Sequence, residues 1–133
     1  MIAVSDETTP RPGSIGWFDL TVPDAEGVRD FYAAVVGWTP APVAMEGYED
    51  FMMSNADGEA VGGVCHAKGP NDGMPPQWLA YVVVADLAAS MARCHELGGE
   101  VVDGPRGLGA FGTFCVVRDP AGAHLALVEP PPE

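Results

Sequence analysis

The sequence predicts an α+β domain built from two successive βαβββ modules. Sliding the chain against itself by 62 residues superposes a strand, an aspartate, a helix and a glycine in the same order in both halves. Within each half the apolar period switches from two to 3.6 and back to two, the signature of strand, helix and strand. A chain of 133 residues also suits a single core, because neither half would bury enough surface to be secure alone.

The first module, residues 14–67, opens with the alternating strand Ile15 to Val22. Pro23-Asp24 then starts an amphipathic helix with Val28, Phe31, Tyr32 and Val35 on one side, ending at Gly37. Short strands follow near Pro42 to Met45, Tyr48 to Ser54 and Glu59 to Ala67. The second module, residues 77–129, runs from Trp78 to Val84 into Ala85-Asp86 and a helix carrying Leu87, Met91, Cys94 and Leu97, ending at Gly98-Gly99. Its strands lie near Glu100 to Asp103, Gly112 to Arg118 and His124 to Glu129. Asp24 and Asp86 match as helix caps, since a carboxylate accepts from the free N–H groups of a first turn. Gly37 and Gly99 suit the left-handed residue that ends many helices. The turns Asn55-Ala56-Asp57-Gly58 and Asp119-Pro120-Ala121-Gly122 repeat at an offset of 64 and suit tight hairpins. Residues 68–76, rich in Gly and Pro, form the linker inside one domain, and residues 1–13 and 130–133 read as tails.

Six Lys plus Arg against nineteen Asp plus Glu leave a charge of −13, which repels nucleic acid and anionic lipid and favours small cations. No apolar run approaches the roughly 18 residues of a membrane span, and no secretion signal is visible, so a cytoplasmic protein is expected. Cys65, Cys94 and Cys115 lack CxxC spacing and read as apolar core residues, not as a disulfide framework or a zinc site.

The motifs Ile15-Gly-Trp-Phe-Asp-Leu-Thr-Val-Pro-Asp24, Arg29-Asp-Phe-Tyr32, Val36-Gly-Trp38, Gly98-Gly99 and Asp119-Pro-Ala-Gly122, in this order, resemble the vicinal oxygen chelate superfamily. That family holds glyoxalases, bleomycin-resistance proteins and extradiol dioxygenases. The resemblance implies a cup-shaped mixed sheet with helices outside, a ligand inside, and pairing into a homodimer. It also implies four metal-ligand positions, which map onto Trp17, Gly62, Leu79 and Ala126. None of these side chains can ligate a divalent ion, so no cofactor is expected and glyoxalase or dioxygenase chemistry does not carry over. A slip of one residue would put Gly63 in place of Gly62 and exchange the faces of that strand.

With Phe18, Leu20 and Val22 facing a helix, Trp17, Asp19 and Thr21 face inward. Gln77, Leu79, Tyr81 and Val83 share the inward side of the fifth strand, with Val64, His66, His124 and Ala126 from the fourth and eighth. Trp17 and Tyr81 make an aromatic wall or simple filling. Asp19 is a ligand contact, a base or a structural partner. His66 and His124 are acid–base candidates or ordinary strand-end residues, and His95 is expected at the surface. Cys65 is expected toward the helix layer. The glycine-rich loop from Asp103 to Gly112 could close over the cup, with Phe111 as plug and Arg106 as anion contact, or simply be mobile. The ligand-binding set is therefore Trp17, Asp19, His66, Gln77, Leu79, Tyr81 and His124. Two functions fit: a metal-independent binder of a small organic molecule, cationic or aromatic, and a lyase, isomerase or oxygenase using Asp19 and His66 or a non-standard metal site. A scaffold module with a filled cup is the third.

Overall fold

Each helix begins where the sequence supplies an acceptor and stops where it supplies a left-handed glycine. In the computed structural model, which describes residues 11–132, α1 (Ala25–Val36) is capped by Asp24, whose Oδ1 accepts from the Gly27 N–H at 3.0 Å. Asp86 caps α2 (Leu87–Glu96) in the same way, accepting from the Ala89 N–H at 3.1 Å. Gly37 closes α1 at φ 84°. After α2 the left-handed residue is Gly98, φ 92°, and not the expected Gly99. Gly99 is small for a different reason: a Cβ there would lie 2.6 Å from Cys94 Sγ and 3.0 Å from the Arg118 carbonyl.

The strands are β1 (Ile15–Val22), β2 (Thr39–Ala44), β3 (Glu49–Ser54), β4 (Ala60–His66), β5 (Trp78–Val83), β6 (Glu100–Gly107), β7 (Thr113–Arg118) and β8 (His124–Glu129). The β3–β4 and β7–β8 turns are built alike. Asn55 Oδ1 accepts from the Asp57 and Glu59 N–H groups, and Asp119 Oδ1 from those of Ala121 and Ala123.

The chain divides into two compact units, Phe18–Trp78 and a second that joins the segment ending at Trp17 to the one beginning at Leu79. In the first, the strand order is β2-β3-β4-β1, with β4 and β1 parallel and the other pairs antiparallel. In the second it is β5-β8-β7-β6, with β5 and β8 parallel and the other pairs antiparallel. The pairing scheme is thus duplicated, as the repeat predicts, and each half is a βαβββ module of an α+β fold.

The first unit packs Ala25, Phe51, Met53 and Val64 with Val22, Val28, Tyr32, Trp38 and Trp78. Trp78 Nε1–H donates to Tyr32 Oη at 3.0 Å, and the Trp38 ring meets Trp78 edge-on. Phe31 and Val35, expected on the buried side of α1, are exposed, as is Phe18 on β1. The second unit packs Leu87, Cys115 and Val117 with Val84, Met91, Cys94, Val101, Leu125 and Leu127. Among the described residues no helix is long and apolar enough to cross a membrane.

The β1–β4 register corrects one expectation. Asp19 pairs with Gly63 and Thr21 with Cys65, whereas Leu20 pairs with Val64 and Val22 with His66. Paired residues of neighbouring strands share a face. Gly63 and Cys65 therefore share the face of Asp19 and Thr21, while Gly62, Val64 and His66 lie on the helix side. The one-residue slip exchanges the two sets.

Candidate functional site

The face of the first unit turned away from α1 centres on Asp19. Its carboxylate is buried, 3% exposed, although it lies on a strand between Phe18 and Leu20. Gly63 makes room for it, because a Cβ at that position would overlap Asp19 Oδ1. Cys65 stands on the same face and not in the helix layer. Burial pushes its thiol far up, and the nearby Asp19 charge adds to this, so the sulfur stays protonated and is no nucleophile.

The corresponding face of the second unit is aromatic and aliphatic. Tyr81 pairs with Ala126 across β5 and β8, and Ala126 with Val116 across β8 and β7. Leu79, two residues before Tyr81, shares its side. Trp17, Leu79, Tyr81, Phe114 and Ala126 are all buried, and the Tyr81 and Phe114 ring centroids are 5.8 Å apart. His124, which begins β8, is half-buried and lies two residues before Ala126 on this face. Gln77, just before β5, is half-buried in the first unit. The segment expected to be a glycine-rich loop is largely strand: β6 continues to Gly107, followed by a short 3-10 turn at Gly109–Phe111. Arg106 is held by Asp103, with Nη2 donating to Oδ2 at 2.7 Å.

The structure does not bring His66 to Asp19. It places His66 on the helix side, 2% exposed, between two carboxylates. Nε2 lies 3.0 Å from Glu26 Oε1 in the first turn of α1, and Nδ1 lies 3.4 Å from Asp50 Oδ1, which also accepts from the His66 backbone N–H at 2.9 Å. The Tyr48 ring stands edge-on to the imidazole at 5.3 Å, and Lys68 Nζ lies over Tyr48 at 5.3 Å. The His66 contact holds the Glu26 carboxyl below its usual value, and burial raises the Tyr48 phenol. This cluster ties α1 to β3 and β4 through polar contacts at one imidazole. Sequence reasoning missed Glu26, Asp50 and Tyr48. Asp50 left a signal, as an acid directly before Phe51 at the start of an apolar-alternating strand with Met53.

The metal that the resemblance implies fails a test of donor chemistry. An indole offers only an N–H donor, Leu79 and Ala126 carry no lone pair, and neither Gly62 nor Gly63 has a side chain. Among the described residues no group of three His, Cys, Asp or Glu gathers as a metal would require. These four positions therefore do not fit the metal that the resemblance implies.

Residues 14–127 match the sequence model of the Glyoxalase/Bleomycin resistance protein/Dioxygenase superfamily. The chain is 35% identical over 128 residues to the anthracycline biosynthesis protein DnrV of Streptomyces peucetius, covering 87% of this chain and 46% of that protein. It is 30% identical over 121 residues to CFP32 of Mycobacterium bovis, a protein provisionally named as a glyoxylase, covering 91% of this chain and 46% of that one. The chain thus spans about half the length of the curated relatives it matches. A Streptomyces coelicolor methylmalonyl-CoA epimerase in complex with 2-nitronate-propionyl-CoA shares the fold. Its TM-score is 0.58 at 18% identity, covering 92% of this chain and all of that one.

Proposed function

The chain belongs to the Glyoxalase/Bleomycin resistance protein/Dioxygenase superfamily, and from that premise we propose that it binds a small, flat organic molecule without the usual divalent ion. The observation that carries this reading is the replacement of all four expected chelating side chains by Trp17, glycine, Leu79 and Ala126. With no donor set, the helix-free face of the second unit offers aromatic and aliphatic surface, and that of the first offers the buried carboxylate of Asp19. Such surfaces hold flat ligands by area and orient them by a few polar groups. Asp19 is the polar group suited to a cationic substituent, and half-buried Gln77 of the same unit offers both a donor and an acceptor. A relative named for anthracycline biosynthesis agrees with a polycyclic aromatic ligand, and the charge of −13 favours a cationic one. A cytoplasmic homodimer completes the proposal; light scattering that returned the 13.9 kDa monomer alone would remove the dimer.

The alternative enzyme of lyase, isomerase or oxygenase type loses its Asp19–His66 pair, because the two residues point to opposite faces. Metal analysis of the purified protein, with thermal shifts against Mn²⁺, Fe²⁺, Ni²⁺ and Zn²⁺, separates the readings. The binder shows no stoichiometric ion and no saturable stabilisation, whereas a site filled at 100 times its dissociation constant adds about 2.7 kcal/mol. A stoichiometric, stabilising ion overturns the proposal. A thermal-shift screen of aromatic cations supplies the positive arm: stabilisation should saturate and weaken in Asp19→Asn.

A further inference from the structure

The second unit opens a cavity of about 300 Å³ where β5 and β8 end. Gly13 N–H donates to the Val83 carbonyl at 2.7 Å and Val83 N–H to the Ser14 carbonyl at 2.9 Å, which holds the chain before β1 against the end of β5. Pro12 is thereby brought to the cavity, and β8 delivers Pro130 and Pro132 to it on leaving the sheet. Val84 and Ala85 line it as well. Proline has a fixed φ and no N–H, so these walls are rigid and apolar and lose little entropy when a ligand arrives.

Among the described residues that line the cavity one is charged, Glu129. Its Oε1 accepts from the Leu87 N–H at 2.7 Å, at the first residue of α2, and this anchors the half-buried carboxylate. Oε2 has no hydrogen-bond or ion-pair partner among the described residues. The helix terminus contributes roughly half a positive charge. Glu129 and the cap Asp86 outweigh it, so the site keeps a negative potential.

We propose that this cavity binds a small organic ammonium ion that carries one apolar ring, its N–H groups donating to Glu129 Oε2 and its ring packing among the prolines. The site goes beyond the reading above and shares none of the contacts named there. Its volume is at the lower end of the roughly 300–1,000 Å³ that small-molecule sites span, so a single ring fits and a polycycle does not. Among the described residues no basic side chain lines it to receive an anion. A charged N–H donor gains about twice what a neutral donor does at a carboxylate, which favours an amine over an alcohol.

The test is an NMR titration of the 15N-labelled full chain at pH 7, comparing 2-phenylethylammonium chloride with 2-phenylethanol, which has the same shape without the charge. The ammonium should shift the Val84, Ala85 and Leu87 amides saturably and bind about tenfold tighter than the alcohol. Glu129→Gln, which keeps an acceptor for the Leu87 N–H, should erase that preference, and Asp19→Asn should leave it. If Glu129→Gln does not melt cooperatively, Ala85→Phe, which fills the cavity with a ring of the protein's own, should abolish both titrations. No saturable shift at these amides, equal affinity for the two probes, or binding that survives Ala85→Phe overturns the proposal. A preference lost in Asp19→Asn and kept in Glu129→Gln overturns it too, and assigns the ammonium to the Asp19 face of the first unit.

Discussion

Gly63 and Asp19 are one feature divided between two strands, since the carboxylate fills the space a Cβ would need. A buried carboxylate must keep its polar partners, and displacing it exposes the cost of desolvation as well as the steric clash. Gly63→Ala should therefore destabilise the protein by about 2 kcal/mol, measured by urea unfolding. In an Asp19→Ala background the same change should cost much less, because the clash is gone. Strictly additive effects would show that the carboxylate and the glycine are not coupled. This pairing was only partly legible in the sequence. Asp19 stood out as a charge among apolar strand residues, but Val61-Gly62-Gly63-Val64 has the same size pattern in either register. Nothing in those four residues says which glycine faces the acid; the parallel pairing with β1 decides it.

Among elements, α1 is secured at its start twice over, by the Asp24 cap and by Glu26 reaching His66. The cap was readable from Pro-Asp before an apolar-periodic run, and Asp24→Ala or Asp86→Ala should each cost about 1 kcal/mol in thermal or urea unfolding. The Glu26 contact was not readable, because it joins residues 40 apart through a strand register that the sequence leaves open. It has a pH consequence. The His66 hydrogen bond holds the folded Glu26 carboxyl below its usual value of 4.5. The resulting stability is present above the unfolded value and drains away as pH falls through the folded one. Unfolding free energy measured from pH 7 downwards should thus fall below about pH 4.5, and Glu26→Gln should flatten that part of the curve while leaving its shape near neutrality. A mutant curve parallel to wild type throughout would remove the contact. The same distinction between local and distant signals explains the strands. Both hairpin turns were legible because Asn55 and Asp119 act on neighbours two and four residues on. The continuation of β6 through Gly107 was hidden by four glycines that read as a loop, because a bulged strand and a loop use the same residues.

For the molecule as a whole, the duplicated pairing scheme and the charge were both open to reading, because each is a property of many residues and survives local errors. The charge then makes a demand of its own. Nineteen acids against six bases place −13 on a chain of 133 residues, and the few cations present are largely committed. Arg29 lies beside Asp30, Arg93 beside Glu96, Arg106 beside Asp103 and Arg118 beside Glu100. What remains is a surplus of carboxylates repelling one another, a force that opposes compactness and weakens as salt screens it. Breaking the exposed pairs by salt costs little, since solvent already screens them and holding two long side chains together costs entropy. The self-repulsion term therefore wins, and the melting temperature at pH 7 should climb by several degrees as NaCl rises from about 20 mM to about 500 mM. KCl and tetramethylammonium chloride at equal ionic strength should give the same climb, because screening does not distinguish monovalent cations. A rise with one cation alone would mean that the acidic surface binds that ion specifically, and a flat or falling profile would mean that the exposed pairs outweigh the repulsion.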